Sequence, residues 1–224
     1  MEKRPRTRIL LVDDHPFMRA GLAQLINRQP DMEVGGEAGN PGEASRELAR
    51  SRTDLVLTDI TMPGRSGIEF IKDLQAQYPE LPIMVISMHD ELMYAERVLR
   101  AGARGYIMKE AGGENLLAAL RLVIGGQIYV SPRMATKVLA DLSVRRPRGS
   151  ASPIEALTDR EFEVFRFIGL GRSTREIADQ LHLSPKTVDV HRSHIREKLG
   201  LKGSTELVRH AVRWIESQDP EPRE

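Results

Sequence analysis

The chain has 224 residues, 40% of them hydrophobic and 29% charged, with a formal net charge of +1 and no cysteine. That composition fits a soluble globular protein of one large or two ordinary domains and excludes disulfides, thiolate catalysis and thiolate metal sites. No apolar stretch reaches membrane-spanning length, and the basic start Met1-Glu2-Lys3-Arg4-Pro5-Arg6 leads into a short strand rather than a signal-peptide core, so the cytoplasm is the expected compartment, with no membrane partner.

From Ile9 to about Gly126, short apolar runs at 9–12, 32–34, 55–58, 83–87 and 105–108 are separated by longer segments with helical spacing. Leu22, Leu25 and Ile26 form one helical face, Ile68, Ile71 and Leu74 another, and Leu116, Leu117, Leu120 and Val123 a third. Strands alternating with helices predict an α/β fold, a five-stranded doubly wound parallel sheet with right-handed crossovers. Gly125-Gly126 closes this domain, placed at 1–127, and a short helix from about Pro132 to Leu142 follows. The stretch Ser143 to Pro153, rich in Pro, Gly, Ser and Arg, reads as a linker, so 128–153 is taken as helix plus linker.

The last segment, 154–219, is helical and clearly punctuated. Thr158-Asp159-Arg160-Glu161 and Ser173-Thr174-Arg175-Glu176 match capping boxes, Gly171 stands at a C-cap, and Ser184-Pro185 places an N-cap before a first-turn proline. Gly200 and Gly203 flank the next stop, and Ser204-Thr205-Glu206 opens a final helix through Trp214 or Ile215. Four helices with a tight Leu181-His182-Leu183 turn between the second and third predict a small all-α helix-turn-helix domain.

Charge collects where the strands end. Asp13-Asp14 follow the first run, Asp59 the third, Ser87 closes the fourth and Lys109 the fifth. Open α/β sheets do their chemistry at this edge. Two carboxylates 4 Å apart repel by about 4 kcal/mol at an effective dielectric near 20, so the cluster needs cations. Lys109 is one, and hard oxygen ligands point to Mg²⁺ as the other. Asp14 and Asp59 are the expected direct ligands, with Asp13 acting through water and the Thr61 carbonyl completing the set. Asp59 is then the expected nucleophile toward a phosphoryl group, with Lys109 and Ser87 each holding one phosphoryl oxygen. His15 reads as a helix-start residue, and Met88 and His89 as the pocket rim.

Projecting 186–199 at about 100° per residue puts Val188, Ile195 and Leu199 on one face, with His191 and Arg192 at its margins. Lys186, Asp189, Val190, Ser193 and Glu197 lie opposite, with Arg196 at their edge. Five Lys/Arg against two acids between Lys186 and Lys202 suit phosphate contacts.

These residues resemble a known family. Asp13-Asp14, Asp59 ahead of Met62-Pro63-Gly64, Ser87 and Lys109 resemble the receiver domain, a flavodoxin-like fold, of two-component response regulators. Leu157 to Glu161, Lys186-Thr187-Val188 and Lys198-Leu199-Gly200 resemble the LuxR-type helix-turn-helix. Together they resemble the NarL/FixJ regulators over nearly the whole chain.

The resemblance implies phosphorylation of Asp59 by a sensor histidine kinase, with Ser87 drawn inward and Tyr106 following it. It implies sequence-specific binding of double-stranded DNA through Lys186, Thr187, Asp189, Val190, Arg192, Ser193, Arg196 and Lys198. It also implies a homodimer when active, paired partly through the last helix, and RNA polymerase as a further partner. Asp189 departs from the common pattern: it can accept from cytosine N4, repel wrong sites or pair with Arg192. Glu110 stands where receivers often carry proline. The chain is expected to be a regulator rather than an enzyme, the alternatives being a phosphorylation-independent regulator and a phosphorelay carrier.

Overall fold

The computed structural model describes residues 5–62, 66–143 and 153–218. Most of the expected linker, and Pro63 and Gly64 of the turn after Asp59, lie outside the described residues. The chain divides into two compact units, Met1–Ala140 and Asp141–Glu224.

The first unit alternates strand and helix: β1 (Thr7–Val12), α1 (Pro16–Asn27), β2 (Met32–Ala38), α2 (Pro41–Arg50), β3 (Leu55–Thr58), α3 (Gly67–Gln77), β4 (Ile83–Ser87), α4 (Glu91–Arg100), β5 (Gly105–Met108) and α5 (Gly113–Ile124). All strand pairs are parallel, in the order β2-β1-β3-β4-β5. The order reverses between β1 and β3, where such sheets open a crevice at their carboxyl ends.

Strand alternation sorts the side chains into two layers. Ile9, Leu11, Leu55, Leu57, Met84 and Ile86 join Leu22 and Ile26 of α1 and Leu116, Leu120 and Val123 of α5 in one cluster. Leu10, Val12, Val56 and Val85 therefore face the other way and are also buried, as are Ile68 and Ile71 of α3 and Tyr94 and Val98 of α4. The second strand runs on to Ala38, past the apolar run that marks it in the sequence. It pairs only with β1, with a register shift between Ile9 and Leu10, and an edge strand tolerates the polar Gly35-Gly36-Glu37 stretch.

Register sets the site. Val12 pairs with Thr58, and the Asp59 N–H donates to the Val12 carbonyl at 2.8 Å. Asp13 and Asp59 thus leave the sheet side by side. Gly67 is required here, because a Cβ would overlap the backbone of Ile60.

After α5 the chain returns along β5. Tyr129 forms a parallel bridge with Gly105, and α6 (Pro132–Ser143) follows, reaching the boundary between the units.

The second unit holds a 3-10 turn (Pro153–Ala156), α7 (Asp159–Gly169), α8 (Thr174–Gln180), α9 (Pro185–Lys198) and α10 (Ser204–Gln218). Both capping boxes form, and the Ser184 hydroxyl accepts from the Thr187 N–H. His182, at φ 52°, takes the left-handed turn between α8 and α9. Phe162, Phe165, Ile177, Val188, Ile195, Leu207 and Ala211 form the buried core, with Trp214 edge-on to Phe162 at 5.5 Å. Val208, which the apolar pattern of the last helix groups with Leu207, Ala211 and Trp214 as closing the core, faces outward instead. It is 38% exposed, because the inward stripe of α10 is Leu207, Ala211 and Trp214, spaced by four and three.

Candidate functional site

The acidic edge closes around Lys109, which opens a 3-10 turn (Lys109–Ala111) just past β5. Its ammonium donates to Asp13 Oδ2 and to Asp59 Oδ2, each at 2.6 Å, and only 4% of its side chain is exposed. The other Asp59 oxygen accepts the Thr61 N–H at 2.9 Å, and Asp13 Oδ1 accepts the His15 N–H at 2.8 Å. Burial pushes the Asp59 carboxyl above its ordinary range, against the downward pull of Lys109. Burial alone would lower Lys109, but the Asp59 charge and the two carboxylate hydrogen bonds outweigh it and hold the ammonium protonated.

Asp13, Asp14, His15 and Asp59 each offer one ligand atom, and these atoms lie within 4.8 Å of one another. Three carboxylates against one ammonium leave an excess of two negative charges. Asp14 Oδ1 is withdrawn from solvent without a hydrogen-bond partner; His15 Nδ1 comes within 2.8 Å, but not in hydrogen-bond geometry. An orphaned carboxylate oxygen in a doubly negative pocket suits a hard divalent cation. The residues present fit Mg²⁺, with Asp13, Asp14 and Asp59 available to hold it.

Ser87 is fully buried at the end of β4, and its hydroxyl accepts the His89 N–H at 3.2 Å. His89 is more than the rim residue its position suggests. Its Nε2 lies 2.8 Å from Thr61 Oγ1, its carbonyl accepts the Tyr106 hydroxyl at 2.8 Å, and its ring stacks on Tyr94 of α4 at 4.9 Å. Tyr106 is fully buried. No sequence pattern marks this knot, which ties the turn after β4 to Thr61 beyond β3 and to Tyr106 of β5.

In the second unit, α9 presents the faces that its periodicity predicts. Val188 and Ile195 are fully buried, whereas Lys186, Asp189, Val190, Ser193 and Glu197 are exposed. Thr187, Arg192 and Arg196 are half-buried; Arg192 donates to Thr174 Oγ1 and Arg196 to Ser193 Oγ, each at 3.4 Å. Lys198 has a partner within its own unit, since its ammonium lies 2.7 Å from Glu161 Oε2. Glu161 also caps α7, and His194 Nδ1 lies 3.7 Å from its second oxygen. Burial would raise Glu161, but Lys198 and the two Thr158 contacts hold it below the usual carboxylate range. The capping box was legible in the sequence; this second use of Glu161 was not.

A parallel sheet with an acid–lysine pocket at its switch point, followed by a helix-turn-helix, defines a phosphoryl-receiving regulator of DNA. Residues 9–121 match the response regulator receiver domain family, and residues 155–211 match the bacterial regulatory proteins of the luxR family. The chain belongs to the NarL/FixJ family of two-component response regulators.

It is 37% identical over 210 residues to the oxygen regulatory protein NreC of Staphylococcus aureus, covering 92% of this chain and 97% of that protein. A two-component response regulator of the LuxR family from Aurantimonas sp. shares 33% identity at a TM-score of 0.58, covering 62% of this chain and 99% of that one. RcsB from Salmonella enterica serovar Typhimurium, solved bound to a promoter with the phosphomimetic BeF3-, shares the fold at a TM-score of 0.62 and 24% identity, covering 93% and 100%. Among the described residues no helix is long and apolar enough to cross a membrane.

Proposed function

We propose that Asp59 accepts a phosphoryl group from a sensor histidine kinase and that this controls binding of the second unit to specific DNA sites. The observation that carries the reading is the Asp13–Lys109–Asp59 bridge at 2.6 Å on both sides. An Asp59 carboxylate oxygen forms a bond to phosphorus as the phosphorus–nitrogen bond of a phosphohistidine breaks. Mg²⁺ would supply neutralisation of the phosphoryl charge, held by Asp13, Asp14, Asp59 and the Thr61 carbonyl. Lys109 neutralises a second phosphoryl oxygen, and the Ser87 hydroxyl turns toward a third. Charge neutralisation and positioning are the main requirements of such a transfer.

Output is at α9. A recognition helix enters the major groove with its N-terminal part against base edges. Asp189, Val190 and Ser193 then read bases, while Lys186, Thr187, Arg192 and Arg196 contact the backbone or orient the helix. Lys198 is already paired with Glu161, which neutralises part of the charge it can offer a phosphate. The active form is a homodimer on two half-sites in the cytoplasm, where RNA polymerase is a further partner.

The test is phosphorylation by acetyl phosphate with Mg²⁺, read by intact mass, followed by fluorescence anisotropy on DNA fragments captured by the protein. A single phosphoryl adduct that is absent in Asp59→Asn, with tighter DNA binding only in the modified wild type, is expected. Equal DNA binding by both proteins, with and without the donor, would overturn the reading in favour of a phosphorylation-independent regulator.

A further inference from the structure

The face formed by α4 and β5 carries a ligand supplied by this chain. Beyond α5 the backbone lies along β5: the Tyr129 N–H donates to the Arg104 carbonyl at 2.9 Å, and the Tyr106 N–H donates to the Tyr129 carbonyl at 3.0 Å. Helix α6 then meets the N-terminus of α4. The Ser131 hydroxyl, which also accepts the Met134 N–H, donates to the Glu91 carboxylate in a short hydrogen bond. The Lys137 ammonium donates to the Leu92 carbonyl at 2.9 Å, and the Arg133 guanidinium lies 3.6 Å from Asp90. Met134 is 1% exposed and Glu91 5%, so this is a closed contact that takes a carboxylate out of water. Burial, and then the Glu91 charge, push the Tyr129 hydroxyl up.

Asp90, Glu91 and Leu92 hold α6, and they directly follow His89. The knot around His89 ties that same turn to Ser87, Thr61 and Tyr106. One short turn therefore reports the phosphoacceptor pocket on one side and grips α6 on the other.

We propose that the N-terminus of α4 is the docking site of α6, and that phosphorylation of Asp59 releases the helix. The release rests on Asp59 being the phosphoacceptor, whereas the clasp does not. Drawing the Ser87 hydroxyl toward a phosphoryl group stretches its bond from His89, already 3.2 Å long, and loosens the turn. A buried carboxylate that loses its hydroxyl partner requires water, so the clasp opens as a unit. Because α6 runs covalently toward the second unit, its release lengthens the tether and changes the local concentration of that unit. A docked α6 also occludes this face from other proteins until the switch is thrown.

The test is hydrogen–deuterium exchange of full-length protein, read on peptides spanning 131–140. Wild type, Asp59→Asn, Glu91→Gln and Lys137→Gln are compared with and without acetyl phosphate and Mg²⁺, with adduct formation read by intact mass. Without the donor, Lys137→Gln raises exchange on the order of tenfold, the fold-change expected for one lost charge-assisted hydrogen bond, and Glu91→Gln, which keeps an acceptor for the Ser131 hydroxyl but loses its charge, raises it about threefold. Wild-type exchange in both variants overturns the clasp, whatever happens at Asp59. The donor raises exchange of wild type and not of Asp59→Asn. A phosphorylated wild type with unchanged α6 exchange overturns the release. A wild type that takes no phosphoryl group overturns the proposed function and the release that rests on it, while the two variants still decide the clasp.

Discussion

Lys109 Nζ lies 2.6 Å from Asp59 Oδ2, and the same ammonium binds Asp13 at the same distance. One buried cation is thus shared by two carboxylates while the third, Asp14, keeps an oxygen without a hydrogen-bond partner. The pocket is held short of neutrality, a condition that favours a divalent ion.

Removing the Asp59 charge is expected to stabilise the metal-free protein. A folded-state pKa raised by burial means that the folded chain binds this proton more tightly than the unfolded chain, so stability falls as pH rises through the raised value. At pH 7 the ionised carboxylate opposes folding, and Asp59→Asn relieves it. Thermal unfolding in EDTA should show a Tm raised by about 2–4 °C, the shift that about 1 kcal/mol makes in a chain of this size. Adding Mg²⁺ should raise the wild-type Tm more than that of Asp59→Asn. A lower Tm for Asp59→Asn in EDTA would contradict this account.

Glu161 carries the opposite sign. Its pKa is lowered in the fold, so its contribution is present above the unfolded carboxylate value and is lost as pH falls through the lowered one. Glu161→Ala removes the cap reciprocal to Thr158 and the Lys198 pair, and should cost about 1–2 kcal/mol at pH 7. Denaturant unfolding followed by Trp214 fluorescence should show the gap between variant and wild type narrowing steadily as pH falls below about 4.

Lys186 is exposed at the start of α9 and serves as a backbone contact. Lys186→Ala should weaken binding to all DNA sequences alike and reduce the slope of log affinity against log salt by about 0.9 per site. Asp189→Asn should instead alter the ranking of sites with a nearly unchanged slope. Anisotropy titrations at several salt concentrations separate the two; a change in ranking with Lys186→Ala would move that residue to base reading.

Gly169 permits the contact between α7 and α10. A Cβ there would sit 2.6 Å from the Ala211 carbonyl oxygen and 2.6 Å from Ile215 Cγ1. Gly169→Ala should therefore destabilise the second unit by about 1–3 kcal/mol despite the better helix propensity of alanine. Chemical denaturation gives the value directly, and a stabilised variant would show that the helices separate without cost.

The sequence by itself determined the alternation of strand and helix, the helix caps and the two faces of α9. Each of these is a local matter of period and side-chain chemistry, read over a few residues. Asp13, Asp59, Ser87 and Lys109 were also legible, because a strand's end is marked by where its apolar run stops. Only the tertiary structure decided that Lys198 pairs with Glu161, that His89 binds Thr61 and Tyr106, and that α6 clasps α4. These contacts join residues distant in sequence, and their strength depends on burial, which no short-range pattern encodes.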